Sequence, residues 1–175
     1  LTGIKAGERR TIRLFPVAPS GGSIKMMRRL AMYQRILVPT DGSEMSTRAL
    51  QTAASLARLT GGRLEVLSVK EPFPYSAISE MQPVPPQEFF DAQERTAQAR
   101  VAAALEAARA HGVTAEGATV EALHPWEAIL DHAKAKGCDL VVMASHGRRG
   151  LNALLLGSET QKVLTHGALP VLVIR

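Results

Sequence analysis

The stretch Asp139 to Thr160, DLVVMASHGRRGLNALLLGSET, constrains the chain most, because it joins an apolar run to a glycine loop and then to a helix start. Leu140, Val141, Val142 and Met143 form a short, continuous, β-branched-rich run, the pattern of a strand buried on both faces of a parallel sheet. Polarity then switches at once. Ser145, His146, Gly147, Arg148, Arg149 and Gly150 follow at the carboxyl end, where open α/β sheets place their ligands. Gly157 lets a backbone approach an anion closely, and Ser158 is expected to cap the next helix, which takes in Glu159, Thr160, Val163 and Leu164. Free N–H groups and the positive end of the helix dipole would converge there on phosphate oxygens.

Two better-known phosphate loops do not fit. A Walker loop ends in Gly-Lys-[Ser/Thr], and no such triplet or suitably placed lysine occurs here. A dinucleotide fingerprint would put G-x-G-x-x-G after the first strand, whereas this chain has Pro39-Thr40-Asp41-Gly42-Ser43 there. The bland alternative is a glycine-rich turn that merely joins strand to helix. Arg148 and Arg149 carry guanidinium forks suited to phosphate, Arg148 being the stronger candidate, and His146 is a further phosphate-side candidate. His111, His124, His132 and His166 show no HExxH or other metal spacing.

The rest of the chain supplies strands and helices in alternation. Arg35 to Thr40 reads as the first strand, ending at Pro39, which cannot donate to a ladder. Asp41-Gly42-Ser43 makes the turn, Ser43 is a good N-cap, and Ala49, Ala53, Leu56, Ala57 and Thr60 form one helical stripe before Gly61-Gly62. Asp41 fits an Asx turn at this cap. Leu64 to Val69 is a second strand, which sets Val69 level with Asp41 if the two strands are parallel neighbours. Lys70 to Pro86, with five prolines, is expected to be a long loop, a lid or rim over the site. A helix over Gln87 to His111 buries Ala97, Val101, Ala104, Leu105 and Ala108. An edge-type strand within Val113 to Leu123 follows. Pro125 opens a helix whose stripe is Trp126, Ile129, Leu130 and Ala133. After the glycine loop and its helix, PVLVIR (Pro170 to Arg175) is the last strand. Such a βαβαβαβαβ order implies a five-stranded parallel sheet, order 3-2-1-4-5, wrapped by helices. In that order the glycine loop, after the fourth strand and beside the first, marks where the connections reverse.

Charge needs locating before it is interpreted. The net +5 is carried by residues 1–32, where Lys5, Arg9, Arg10, Arg13, Lys25, Arg28 and Arg29 face Glu8 alone, a net +6 that leaves −1 for the remainder. Basicity therefore belongs to a leader rather than to the domain at 33–175, and with aromatics at 4% there is no stacking platform for single strands; no nucleic-acid partner is expected. The leader, with Pro16, Pro19 and SGGS, is expected to be flexible and outside the fold; Met26, Met27 and Met32 each offer a start close to the domain. The 46% hydrophobic content suffices for a core, and no apolar run approaches the ~18 residues of a membrane span. Cys138 alone reads as a small core thiol, compatible with a soluble cytoplasmic protein.

The spacing of Gly147 and Gly157-Ser158 resembles the universal stress protein loop, G-x-x-G-x9-G-[ST], with Ala144 in place of the first glycine. The run ILVPTDGS is similar to the opening of the same family, and the resemblance extends through LLLGSETQKVL to PVLVIR. Leu123 stands where a glycine commonly precedes the proline in that family. Such a resemblance implies a Rossmann-like (adenine nucleotide alpha hydrolase-like) three-layer sandwich, a homodimer and, in the loop-bearing branch, ATP, with or without Mg2+, bound with little or slow turnover. By the same resemblance, Asp41 lies against adenine and ribose and Val69 packs on adenine, with Pro39 and Thr40 also in the nucleotide site. Met143, Ala144, Ser145, His146, Gly147, Arg148, Arg149, Gly150, Gly157, Ser158, Glu159 and Thr160 complete the nucleotide site. A positive φ at Ala144 would cost on the order of 1 kcal/mol; an ordinary extended φ would cost little. A nucleotide-independent dimeric stress module and an adenine-nucleotide hydrolase or phosphotransferase remain as alternatives. No nucleophile, base and orienting acid stand together in the sequence to favour the latter.

Overall fold

The computed structural model describes residues 32–72, 87–147 and 156–175. The expected leader up to residue 31, the proline-rich segment 73–86, and Arg148, Arg149 and Gly150 within 148–155 lie outside the described residues. The chain order is β1 (Arg35–Pro39), α1 (Glu44–Thr60), β2 (Arg63–Lys70), α2 (Gln87–Ala110), β3 (Ala115–Glu121), α3 (Pro125–Lys136), β4 (Leu140–Ala144), α4 (Ser158–His166) and β5 (Val171–Ile174). All four strand pairings are parallel, in the order β3-β2-β1-β4-β5. This is the expected five-stranded, doubly wound sheet.

The two helical layers follow from alternation along the strands, since successive side chains point to opposite faces. Ile36, Val38, Leu64, Val66, Leu140 and Val142 pack with Ala49, Leu50 and Ala53 of α1 and Val101, Ala104 and Ala108 of α2. On the other face Leu37, Leu67, Val141 and Met143 meet Ile129 and Ala133 of α3 and Val163 of α4. Ile36 and Leu37 are both fully buried, each worth roughly 1.5–3 kcal/mol relative to exposure. The α1 stripe is broader than expected: Leu50 and Ala54 are buried, whereas Leu56 and Thr60 are only partly so. Contacts of α1 with both the sheet and α2 account for the extra width.

Helix ends follow local chemistry. Gly61 and Gly137 close α1 and α3 in the left-handed region (φ 71° and 63°), which glycine enters without a Cβ clash. Ser43 caps α1 by accepting from the Ser46 N–H at 3.1 Å.

A polar cluster lies near the amino-terminal end of β2. Glu65 is 1% exposed, and its nearest cation is Lys136, with Nζ 3.4 Å from Oε1. The imidazole of His132 is close enough to feel both charges; burial, the largest influence, holds its pKa below 6.5, Glu65 opposes that shift and Lys136 adds to it. Burial, followed by the negative charge of Glu65, pushes the Cys138 thiol up to about 11, so it stays protonated as the expected inert core thiol.

Candidate functional site

At the carboxyl rim the loops after β1 and β4 meet. The register Pro39↔Leu67 continues through a Thr40 N–H to Leu67 O bond of 2.8 Å, which puts Val69 level with Asp41. Asp41 Oδ1 accepts from the Ser43 N–H at 3.0 Å, forming the expected Asx turn. Its other oxygen faces Gly147 so closely that a Cβ there would stand 2.9 Å from Oδ2. Thr40 is tied down beside it, its Oγ1 accepting from the Gly42 N–H and lying 3.3 Å from Ser46 Oγ.

Ser145 joins the next layer. It is 2% exposed; its N–H donates to Ile174 O at 2.7 Å, its carbonyl accepts from the Gly157 N–H at 2.8 Å, and its hydroxyl lies 3.0 Å from His146 Nδ1. No described residue partners His146 Nε2, which is buried. Ala144 belongs to β4, and among the described residues Tyr33 alone has a positive φ without being glycine. The methyl at Ala144 therefore sits on ordinary extended backbone and carries no left-handed strain. Met143, 5% exposed, is a core residue behind the rim, and Val69 packs against the same core cluster.

The start of α4 departs from the expectation. Gly157, not Ser158, is the N-cap, at φ −61° and ψ 147°, and the Gly157 carbonyl accepts from Gln161 N–H at 2.9 Å. Ser158 is the exposed first helical residue, so its hydroxyl is not a cap. The physical reason for Gly157 is close approach rather than left-handed backbone: a Cβ would lie 2.9 Å from Ser145 O and 3.4 Å from His146 Cα. With glycine as cap, no side-chain cap bond is made, and the first-turn N–H groups of Ser158, Glu159 and Thr160 have no partner within the helix. Thr160 is buried, and its hydroxyl donates to Ala144 O at 2.9 Å, so what it presents at the rim is its backbone N–H.

The structure thus brings together Pro39, Thr40, Asp41, Val69, Ala144, Ser145, His146, Gly147, Gly157 and Ser158. Two links have no signal in the sequence. Glu159 Oε2 accepts from the Trp126 N–H of α3 at 3.0 Å, and the Trp126 ring lies 4.6 Å from that of His166. A cleft of about 610 Å³ between α1 and α2 borders the site through Thr40 and Gly42, with Thr47, Leu50 and Arg95 in its wall, but does not include Gly147 or Gly157. Among the described residues no group of three or more His, Cys, Asp or Glu is arranged to hold a metal, and no helix is long and apolar enough to cross a membrane.

Comparison with known proteins agrees with this architecture. A universal stress protein of Bacillus subtilis, YxiE, is 33% identical over 148 residues, covering 82% of this chain and all (100%) of that protein. The solved structure of MJ0577, from Methanocaldococcus jannaschii, superposes with a TM-score of 0.70 at 28% identity, covering 82% of this chain and 96% of its own. A universal stress protein solved in complex with cAMP has a TM-score of 0.63 at 25% identity, covering 83% and 99%. The sequence model of the universal stress protein family matches residues 32–175, and the chain belongs to that family.

Proposed function

We propose that the protein is an adenine-nucleotide-binding module of the stress response that takes ATP across the carboxyl ends of β1 and β4, with little or slow hydrolysis. Adenine and ribose lie by Asp41 and Val69, and phosphates lie along the loop from Gly147 and against Gly157, Ser158 and the first turn of α4. The observation that carries this reading is the bare start of α4: a glycine cap pressed against Ser145 leaves the first-turn N–H groups for an anion. The cAMP complex of a related stress protein supports an adenine nucleotide as the ligand class. The module works in the cytoplasm as a homodimer through β5, an edge strand whose Val171–Ile174 run carries no charge to discourage pairing.

Ser158→Pro tests the site without disturbing the fold. Proline suits the first helical position, and Gly157 already has the extended backbone that a residue before proline requires. The substitution deletes one N–H that would face phosphate. Calorimetry with ATP, with Mg2+ and with chelator, is expected to show binding weakened about tenfold, about 1.4 kcal/mol, at an unchanged melting temperature. Unaltered ATP affinity in the folded variant would overturn the placement of the phosphates. Light scattering that finds only monomer at micromolar concentration would remove the dimer.

A further inference from the structure

Three helices whose cap residues are described begin at the carboxyl rim, and they satisfy their first amides differently. α1 uses its own Ser43. α4 begins on Gly157 and has no side-chain cap. α3 has no cap bond from its own His124, but its Trp126 N–H is served from outside, by Glu159 of α4. Glu159 therefore stands in the first turn of the helix assigned to phosphate, between Ser158 and Thr160, while its carboxylate turns to a neighbouring helix. Lys162 Nζ lies 3.4 Å from the other oxygen, Oε1, but both side chains are substantially exposed, 44% and 36%, so their pairing is weak and leaves much of the carboxylate field in place.

We propose that Glu159 is a specificity-determining residue of the nucleotide site, a fixed negative charge at its phosphate end that holds affinity down as the number of phosphates rises. The proposal rests on the nucleotide reading above. A carboxylate carried by the helical turn that faces a bound phosphate repels it in proportion to the ligand's charge, so ATP is penalised more than AMP. The bond to Trp126 N–H fixes that charge in position. Left to itself, a first-turn glutamate would favour its own helix dipole.

Calorimetry with AMP and with ATP, on the unaltered full-length protein, Glu159→Gln and Glu159→Ala, separates a charge effect from a structural one. Gln keeps an oxygen for the Trp126 N–H and loses only the charge; Ala loses both. Both variants are expected to raise ATP affinity relative to AMP by roughly threefold or more at low salt, and the gain should fade as salt shortens the Debye length to ~3 Å near 1 M. Only Ala should lower the melting temperature. If Gln binds both ligands as the unaltered protein does, or if Ala weakens both equally, Glu159 is merely a tether between helices and the assignment is overturned. If the unaltered protein binds neither AMP nor ATP, the nucleotide reading itself falls, and this one with it; if both bind and only their ratio fails to move, the nucleotide reading stands.

Discussion

The junctions β1–α1 and β4–α4 occupy neighbouring places at the same rim and both lead from strand to helix, yet their described residues are of opposite kinds. At the first, side chains satisfy backbone amides: Asp41 holds Ser43 N–H, Ser43 caps Ser46 N–H, and Thr40 holds Gly42 N–H. At the second, backbone packs on backbone, Gly157 N–H on Ser145 O, and the helix starts without a side-chain cap. A helix end closed by its own side chain is stable and inert. One left open must find water or a ligand for its amides. The pair therefore separates a closed turn from an open one on physical grounds, within one molecule.

The largest effect is expected from Gly157→Val. A side chain there meets Ser145 O at 2.9 Å, backbone that cannot yield cheaply, so α4 must shift. Overpacking of this kind costs about 1–3 kcal/mol, and ATP affinity should fall at least about tenfold. Chemical denaturation and calorimetry on one preparation check both, and retained ATP binding would show that the open junction is not the phosphate site. Ser43→Ala is the counterpart at the closed junction: about 1 kcal/mol of stability lost with its cap, and ATP affinity changed by less than about twofold. Should Ser43→Ala cost more affinity than stability, the division between the two turns is wrong.

Thr160→Val sharpens the comparison further. It removes the hydroxyl bonded to Ala144 O but keeps the Thr160 N–H, so stability should drop by about 1 kcal/mol while ATP affinity changes little. A large loss of affinity would make the hydroxyl itself a ligand.

The smallest effect lies far from both junctions, at His132. Burial depresses its folded pKa below 6.5. The unfolded chain then binds this proton more readily, so stability is complete above about pH 6.5 and is lost as pH falls from there through the folded pKa. Melting curves between about pH 5 and 7 should show this slope, flattened in His132→Gln, with neither junction's response to substitution altered.

Residues whose roles are local are legible in the sequence itself. Ser43 as a cap, Gly61 and Gly137 as helix ends, the parallel order and the core thiol Cys138 each follow from a few adjacent residues or from the alternation of elements. The cap of α4 falls one position before Ser158, and a serine at the first helical residue looks, in sequence, like a serine at the cap. What decides between them is the packing of Gly157 on Ser145. The contact of Asp41 with Gly147 and the bond of Glu159 to Trp126 N–H join segments distant in the chain, and no periodicity encodes them. Glu65 is hidden differently. Within LEVLSV it looks like a polar tooth of a half-exposed strand, and only the closure of α3 over that face buries it beside Lys136.

The placement of Trp126 has a practical consequence. It is the one tryptophan in the chain, its backbone N–H donates to Glu159 at the start of α4, and its ring rests beside His166 at the other end of that helix. Indole emission is sensitive to local polarity and to a nearby imidazolium. The protein thus carries its own optical gauge of α4, with a single emitter to interpret, and any ligand that draws the start of that helix toward itself can be followed by the colour and brightness of unlabelled protein.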